Sequence, residues 1–200
     1  IIIGDSNCKE LQVENVPFKV KKLSKGGLRS KEVEGQLTQV QDTNAEVEVV
    51  VLHCGTCDFS SQNVDVTNVY AEYVESLSTV VQAYPNTEVL ISSIPPRALR
   101  ALKPENDNIN KKIAELNTLL KELTMKESNL SFIDNDDGLK SQNGEPIDML
   151  FSSSDGNGVH FSERGLLILA DKMRQGLTEA YYKIRLEVEH DIVPNPPVNE

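Results

Sequence analysis

Five short apolar runs rich in β-branched residues punctuate the chain: Ile1 to Ile3, Phe18 to Leu23, Val47 to Leu52, Val89 to Ile94 and Leu130 to Ile133. Runs of this length and composition predict strands. Between them, helical spacing predicts helices over Glu32 to Gln41, Val66 to Ala83 and Glu105 to Glu127, and Ser162 to Leu186 forms a last one. In the third of these, Ile109, Ile113, Leu116, Leu119, Leu120 and Leu123 make a stripe that reads as core. Strands alternating with helices imply a parallel sheet. The first and third strands show almost no polar alternation, as expected of strands covered on both faces. The expected fold is α/β, a three-layer α/β/α sandwich around a five-stranded parallel sheet of flavodoxin-like kind. Its ligands belong at the carboxyl ends of the strands.

Composition narrows the functional classes. A chain of 200 residues with 38% hydrophobic and 26% charged positions suits one soluble domain, since separate cores arise mainly above about 250 residues. No window offers the roughly 18 apolar residues of a transmembrane helix. The net charge of -11 repels phosphate backbones, so direct nucleic-acid binding is not expected. The apolar start at Ile1 lacks an initiator Met and a basic leader, so a signal peptide is read as either absent or already removed, or the chain as an excised piece. Residues 1–186 are read as the domain. Glu187 to Glu200, with three prolines, reads as a frayed tail or linker. Three cysteines, Cys8, Cys54 and Cys57, are too few and odd in number for a disulfide framework, which favours a reducing, cytoplasmic setting.

Two segments carry candidate chemistry. Gly4-Asp5-Ser6-Asn7 follows the first strand directly and would present the Ser6 hydroxyl at the sheet's carboxyl edge, although Asp5 or Ser6 could simply cap a helix. His160 stands in the glycine-rich stretch Asp155-Gly156-Asn157-Gly158-Val159-His160, just before the last helix. A doubly wound sheet returns late loops to the same edge as early ones, so a hydroxyl and a general base from opposite ends of the chain can meet. His53 is an alternative base, but its place inside an apolar run favours a structural role.

Gly4-Asp5-Ser6-Asn7, the pair Gly26-Gly27, Gly55-Thr56-Cys57-Asp58 and the terminal Gly158-Val159-His160 resemble, in order and spacing, the blocks of SGNH (GDSL-type) hydrolases over residues 1–180. A narrower likeness is to the esterase-like domains in first open reading frames of LINE-type retrotransposons. The resemblance implies Ser6 as nucleophile, His160 as its base, and the Ser6 and Gly27 N–H groups in an oxyanion hole, with Gly26 the alternative glycine. It implies a small ester substrate, acetylated or lipid-like, and no metal or organic cofactor. Two positions depart from the family pattern. Cys57, a weak S–H donor, stands where a side-chain amide is usual. Asn157 holds the position three before the histidine where an Asp is usual, while Asp155 lies five before it. Asn157 has the family position and Asp155 the charge; Gly156 and Gly158 would let the loop bulge to bring Asp155 to the ring, and Asp155 is preferred.

The expected activity is that of a serine esterase. The rival is a degenerate fold kept as an interaction module, suggested by Cys57 and Asn157. Other features have plainer readings. The Cys54-Gly55-Thr56-Cys57 pair lacks a second pair for a zinc site, and Cys54 reads as a small buried residue. The lysines around Lys19 to Lys31 read as a solvated or guarded edge, and Asp134, Asp136, Asp137 and Asp148 as a solvated loop.

Overall fold

The computed structural model describes residues 1–39, 47–99 and 105–192. Five strands, β1 (Ile2–Gly4), β2 (Lys22–Ser24), β3 (Val49–His53), β4 (Glu88–Ser92) and β5 (Leu130–Ile133), pair in parallel in the order β2-β1-β3-β4-β5. That is the doubly wound, flavodoxin-like order. The pleat divides the apolar side chains between two layers. Ile3, Val50, Leu52, Val89 and Ile91 join one core with residues of α2 (Val33–Leu37), α3 (Val66–Ala83) and α4 (Asn106–Thr124). Ile2, Val49, Val51, Leu90 and Ile133 join the other, with Cys8 of α1 (Ser6–Glu10) and Leu169, Met173 and Leu177 of α6 (Glu163–Ile192). The expected three-layer sandwich is therefore the observed one. Among the described residues no helix is long and apolar enough to cross a membrane.

Local chemistry explains the elements. Asp65 caps α3 by accepting the Thr67 N–H at 2.8 Å, and Val66, Val69, Tyr73, Leu77 and Val80 bury one face of that helix. The stripe on α4 is core, with Ile109, Ile113, Leu116 and Leu120 buried. Because α1 and α2 lie on opposite faces, the strand order reverses between β1 and β3. This opens a crevice at their carboxyl ends.

Three boundaries differ from expectation. β2 is confined to Lys22–Ser24, because β1 offers only three residues to pair with and Phe18 turns away to meet Tyr181 edge-on, at 5.6 Å between centroids. The expected helix from Glu32 is a short 3-10 turn (Ser30–Glu32) followed by α2, and Gln41 lies outside the described residues. The last helix continues to Ile192, so the boundary drawn after Leu186 falls within a helix. No glycine or proline interrupts the sequence there before Pro194. Residues 193–200 lie outside the described residues.

Candidate active site

Asp5 ends the turn after β1 and caps α1, its Oδ1 accepting the Asn7 N–H at 2.9 Å. Capping thus falls to Asp5 and leaves the Ser6 hydroxyl available. Ser6 Oγ stands 3.1 Å from His160 Nε2. On the other side of the ring, Nδ1 lies 3.1 Å from Asp155 Oδ2. An ionised carboxylate can only accept, so Nδ1 carries the proton and Nε2 offers its lone pair to the Ser6 hydroxyl. The histidine side chain is 54% exposed and the Asp155 side chain only 10%.

The short loop before α6 is wound around Asp155. Its carboxylate also accepts the N–H groups of Asn157 at 3.0 Å and of Val159 and His160, each at 2.7 Å. Partial burial pushes this carboxyl upward, but those N–H donors and the ring more than offset it and hold it below its ordinary value. Gly158 adopts a φ of +67°, and a Cβ there would stand 2.9 Å from that of Ala98. Ala98 N–H donates to the Gly158 carbonyl at 2.9 Å, which ties the loop to the segment after β4. The fold therefore brings Asp155, five residues before the histidine, to the ring. Asn157 contributes its backbone: its carbonyl accepts from Asn106 Nδ2 at 3.1 Å. Among the described residues its side chain has no hydrogen bond to the ring, though it lines the cleft.

Ser6, Gly27, Cys57 and His160 face one cleft of about 1050 Å³. Gly27, at a φ of +76°, reaches this cleft, whereas Gly26 is not among its lining residues. Asp58 Oδ2 accepts the Ser30 N–H at 2.9 Å and so ties the turn carrying Cys57 to the turn carrying Gly27. Burial pushes the Cys57 thiol up, which keeps it protonated and a weak donor.

The other candidates are placed elsewhere. His53 is 1% exposed with its Nδ1 2.9 Å from Ser92 Oγ, away from the cleft lining, and burial holds its pKa below the ordinary value. Cys54 is buried, burial pushes its thiol up, and all three cysteines are free. Asp134, Asp136 and Asp137 each pair with a lysine, and Asp148 accepts the Leu99 N–H at 2.8 Å. At the basic edge, Lys22 Nζ donates to the Leu11 carbonyl at 2.5 Å and Lys25 pairs with Glu32 at 2.7 Å. Among the described residues no three His, Cys, Asp or Glu side chains converge as a metal site would require.

Several supports escape sequence reasoning. Asn7 reaches across 154 residues, accepting the Phe161 N–H at 3.4 Å while its Nδ2 donates to the Val159 carbonyl at 3.4 Å. It therefore brackets His160 from the turn that carries Ser6. Asn7 and Asp58 stood in recognisable blocks without a role of their own, but nothing local marked Asn106 or Arg97 as site residues.

The family model for the GDSL-like lipase/acylhydrolase family matches residues 5–166. The chain belongs to that family. No curated protein sequence matches it. Among solved structures, this GDSL-like chain is similar to a Streptococcus pneumonia protein provisionally described as a platelet activating factor. The TM-score is 0.71 at 22% identity, over 88% of this chain and 82% of that one. It is also similar to a carbohydrate esterase family 3 protein from Talaromyces cellulolyticus, with TM-score 0.65, 14% identity and coverage of 92% and 97%. The OSK domain of Drosophila Oskar has TM-score 0.66 at 12% identity, covering 87% and 86%. At such identities the likeness speaks for the fold. The family match carries the general acylhydrolase character.

Proposed function

We propose that this GDSL-like domain is a serine esterase that hydrolyses an acetyl or other short acyl ester through an acyl-enzyme on Ser6. The observation that carries it is the continuous line from Ser6 Oγ to His160 Nε2 and from His160 Nδ1 to Asp155 Oδ2, each link 3.1 Å. His160 takes the hydroxyl proton as Ser6 Oγ attacks the ester carbonyl. The tetrahedral oxyanion is held by the Ser6 and Gly27 N–H groups, with the Cys57 S–H as a weak third donor. Collapse breaks the bond to the alcohol, which leaves with the proton from His160. A water, deprotonated by His160, then attacks the acyl-serine, and the acid departs as Ser6 recovers its proton. Asp155 holds the ring in the required tautomer and stabilises the imidazolium. These steps use no metal or organic cofactor.

The cleft wall carries amides and hydroxyls, among them Ser60, Ser61, Gln62, Asn106 and Asn108, beside the apolar Ile109 and Val159. The amides and hydroxyls favour a small polar ester over a long alkyl chain that would leave them unpaired. The narrower likeness to retrotransposon esterase-like domains belongs to this reading, and with it a cytoplasmic setting and a larger parent protein or homo-oligomer. Cys57, in place of a strong donor, favours the interaction-module reading instead. Fluorophosphonate labelling separates the two: stoichiometric labelling lost in Ser6→Ala supports the esterase, and an unlabelled, folded wild-type protein overturns it.

A further inference from the structure

Arg97 lies in the segment after β4 and is 8% exposed, yet it lines the cleft together with Ser6, Cys57 and His160. Its backbone is clamped by the Asn110 side chain, which accepts the Arg97 N–H at 2.7 Å and donates to its carbonyl at 2.8 Å. Its Nη2 donates to the carbonyls of Thr56 at 3.1 Å and Phe59 at 2.8 Å, the two residues that bracket the turn carrying Cys57. Its Nε is buried without a hydrogen-bond partner. None of its hydrogen bonds goes to a carboxylate among the described residues. A guanidinium withdrawn from water with a buried N–H that finds no acceptor is costly unless an acceptor or a developing anion arises beside it. Burial lowers its pKa, which the nearby Asp155 and Glu105 carboxylates partly offset, and its charge in turn works against the upward push on the Cys57 thiol.

We propose that Arg97 replaces the missing side-chain donor of the oxyanion hole. Its hydrogen bonds fix the Thr56–Phe59 turn, and its charge stabilises the anion that forms on the substrate carbonyl oxygen. The inference rests on the Ser6 acyl-enzyme reading. Cys57 supplies little donor strength, and its small side chain keeps the space beside the oxyanion open to the field of a neighbouring cation. A fixed charge in a water-poor wall acts on the transition state more than on the neutral ester, so it is read in kcat rather than KM.

The test measures kcat and KM for 4-nitrophenyl acetate, melting temperature, and the pH profile of Cys57 alkylation by iodoacetamide. Cys8 and Cys54 are buried, so Cys57 dominates the alkylation. Arg97→Met is expected to lower kcat about 100-fold, with KM within about threefold. The Cys57 alkylation profile should move to higher pH as the neighbouring charge is lost. Adding Cys57→Asn to Arg97→Met should return about tenfold or more of the lost kcat, because an amide donor then does the work of the charge. Arg97→Lys, which keeps the charge and loses the fork, should fall by about tenfold and carries the test if Arg97→Met does not fold.

An unchanged kcat in either folded variant overturns the inference. So does a loss that follows a fall in melting temperature, leaves the thiol profile unmoved and is not restored by Cys57→Asn. A wild-type protein with neither hydrolysis nor Ser6 labelling overturns the esterase reading together with this one. That failure is distinguishable, because failure of the Arg97 inference alone leaves the wild type active.

Discussion

The contest between Asp155 and Asn157 turns on how far a side chain can reach around a tight loop. Three N–H groups converge on the Asp155 carboxylate, and the ring of His160 faces it as well. An amide at this position would present an NH₂ to donors that need an acceptor, and would no longer stabilise the imidazolium. Asp155→Asn should therefore lower turnover by up to about 10,000-fold, the scale seen when a triad carboxylate becomes an amide. Asn157→Ala should change it by less than about tenfold, since the loop uses the Asn157 backbone and that is kept. Steady-state kinetics on both variants decide, and the reverse ranking would return the orienting role to Asn157.

Between elements, α6 is locked to the sheet by a polar contact as well as by its apolar face. Lys183 donates to both carboxylate oxygens of Glu88, at 2.8 and 2.9 Å, and to the Ser128 carbonyl at 2.5 Å. The Glu88 side chain is 5% exposed at the start of β4 and also accepts from Ser131 of β5. Removing only the lysine strands a buried carboxylate. Lys183→Met should cost about 3 kcal/mol in urea unfolding, whereas the Glu88→Gln/Lys183→Met double variant should recover most of that loss. Equal losses in single and double variants would show that the contact is solvated and weak.

For the molecule as a whole, the pH dependence of stability reports the groups whose proton affinity folding changes. His53 is buried with a depressed pKa, chiefly from lost hydration, and the nearby Asp5 carboxylate offsets only part of it. Above about pH 6.5 both folded and unfolded chains carry a neutral imidazole, so this group contributes nothing to the pH dependence. Below that pH the unfolded chain binds a proton that the folded chain resists, and stability falls by up to about 1.4 kcal/mol per pH unit until the folded pKa is reached. His53→Gln should remove this slope. Asp155 works with the opposite chemistry: its depressed pKa adds stability above about pH 4 that is lost as pH falls through the folded value. Urea unfolding between pH 7.5 and 3 resolves the two regions, and identical slopes for wild type and His53→Gln would sink the first.

Hydrophobic periodicity by itself determined the α/β class, the parallel sheet and most of its elements. The bounds of α3 and β5 coincide with the patterns at Val66 to Ala83 and Leu130 to Ile133. Burial on one face or on two leaves a period that survives in the primary sequence. The positions of Ser6 and His160 were legible for a related reason, since strand ends and pre-helix loops mark the carboxyl edge where such groups can act. Pairing partners decided what the pattern could not: Phe18 to Lys21 looked like strand, but β1 is too short to pair with them. The orienting carboxylate, the tie from Asp58 to Ser30, the bracket of Asn7 around His160 and the inward turn of Arg97 all depend on contacts between residues distant along the chain or on the coiling of one loop. Residue type can state that a carboxylate needs donors or that a guanidinium needs acceptors. Only the tertiary structure decides which ones they find, because the cost of leaving them unpaired is set by burial.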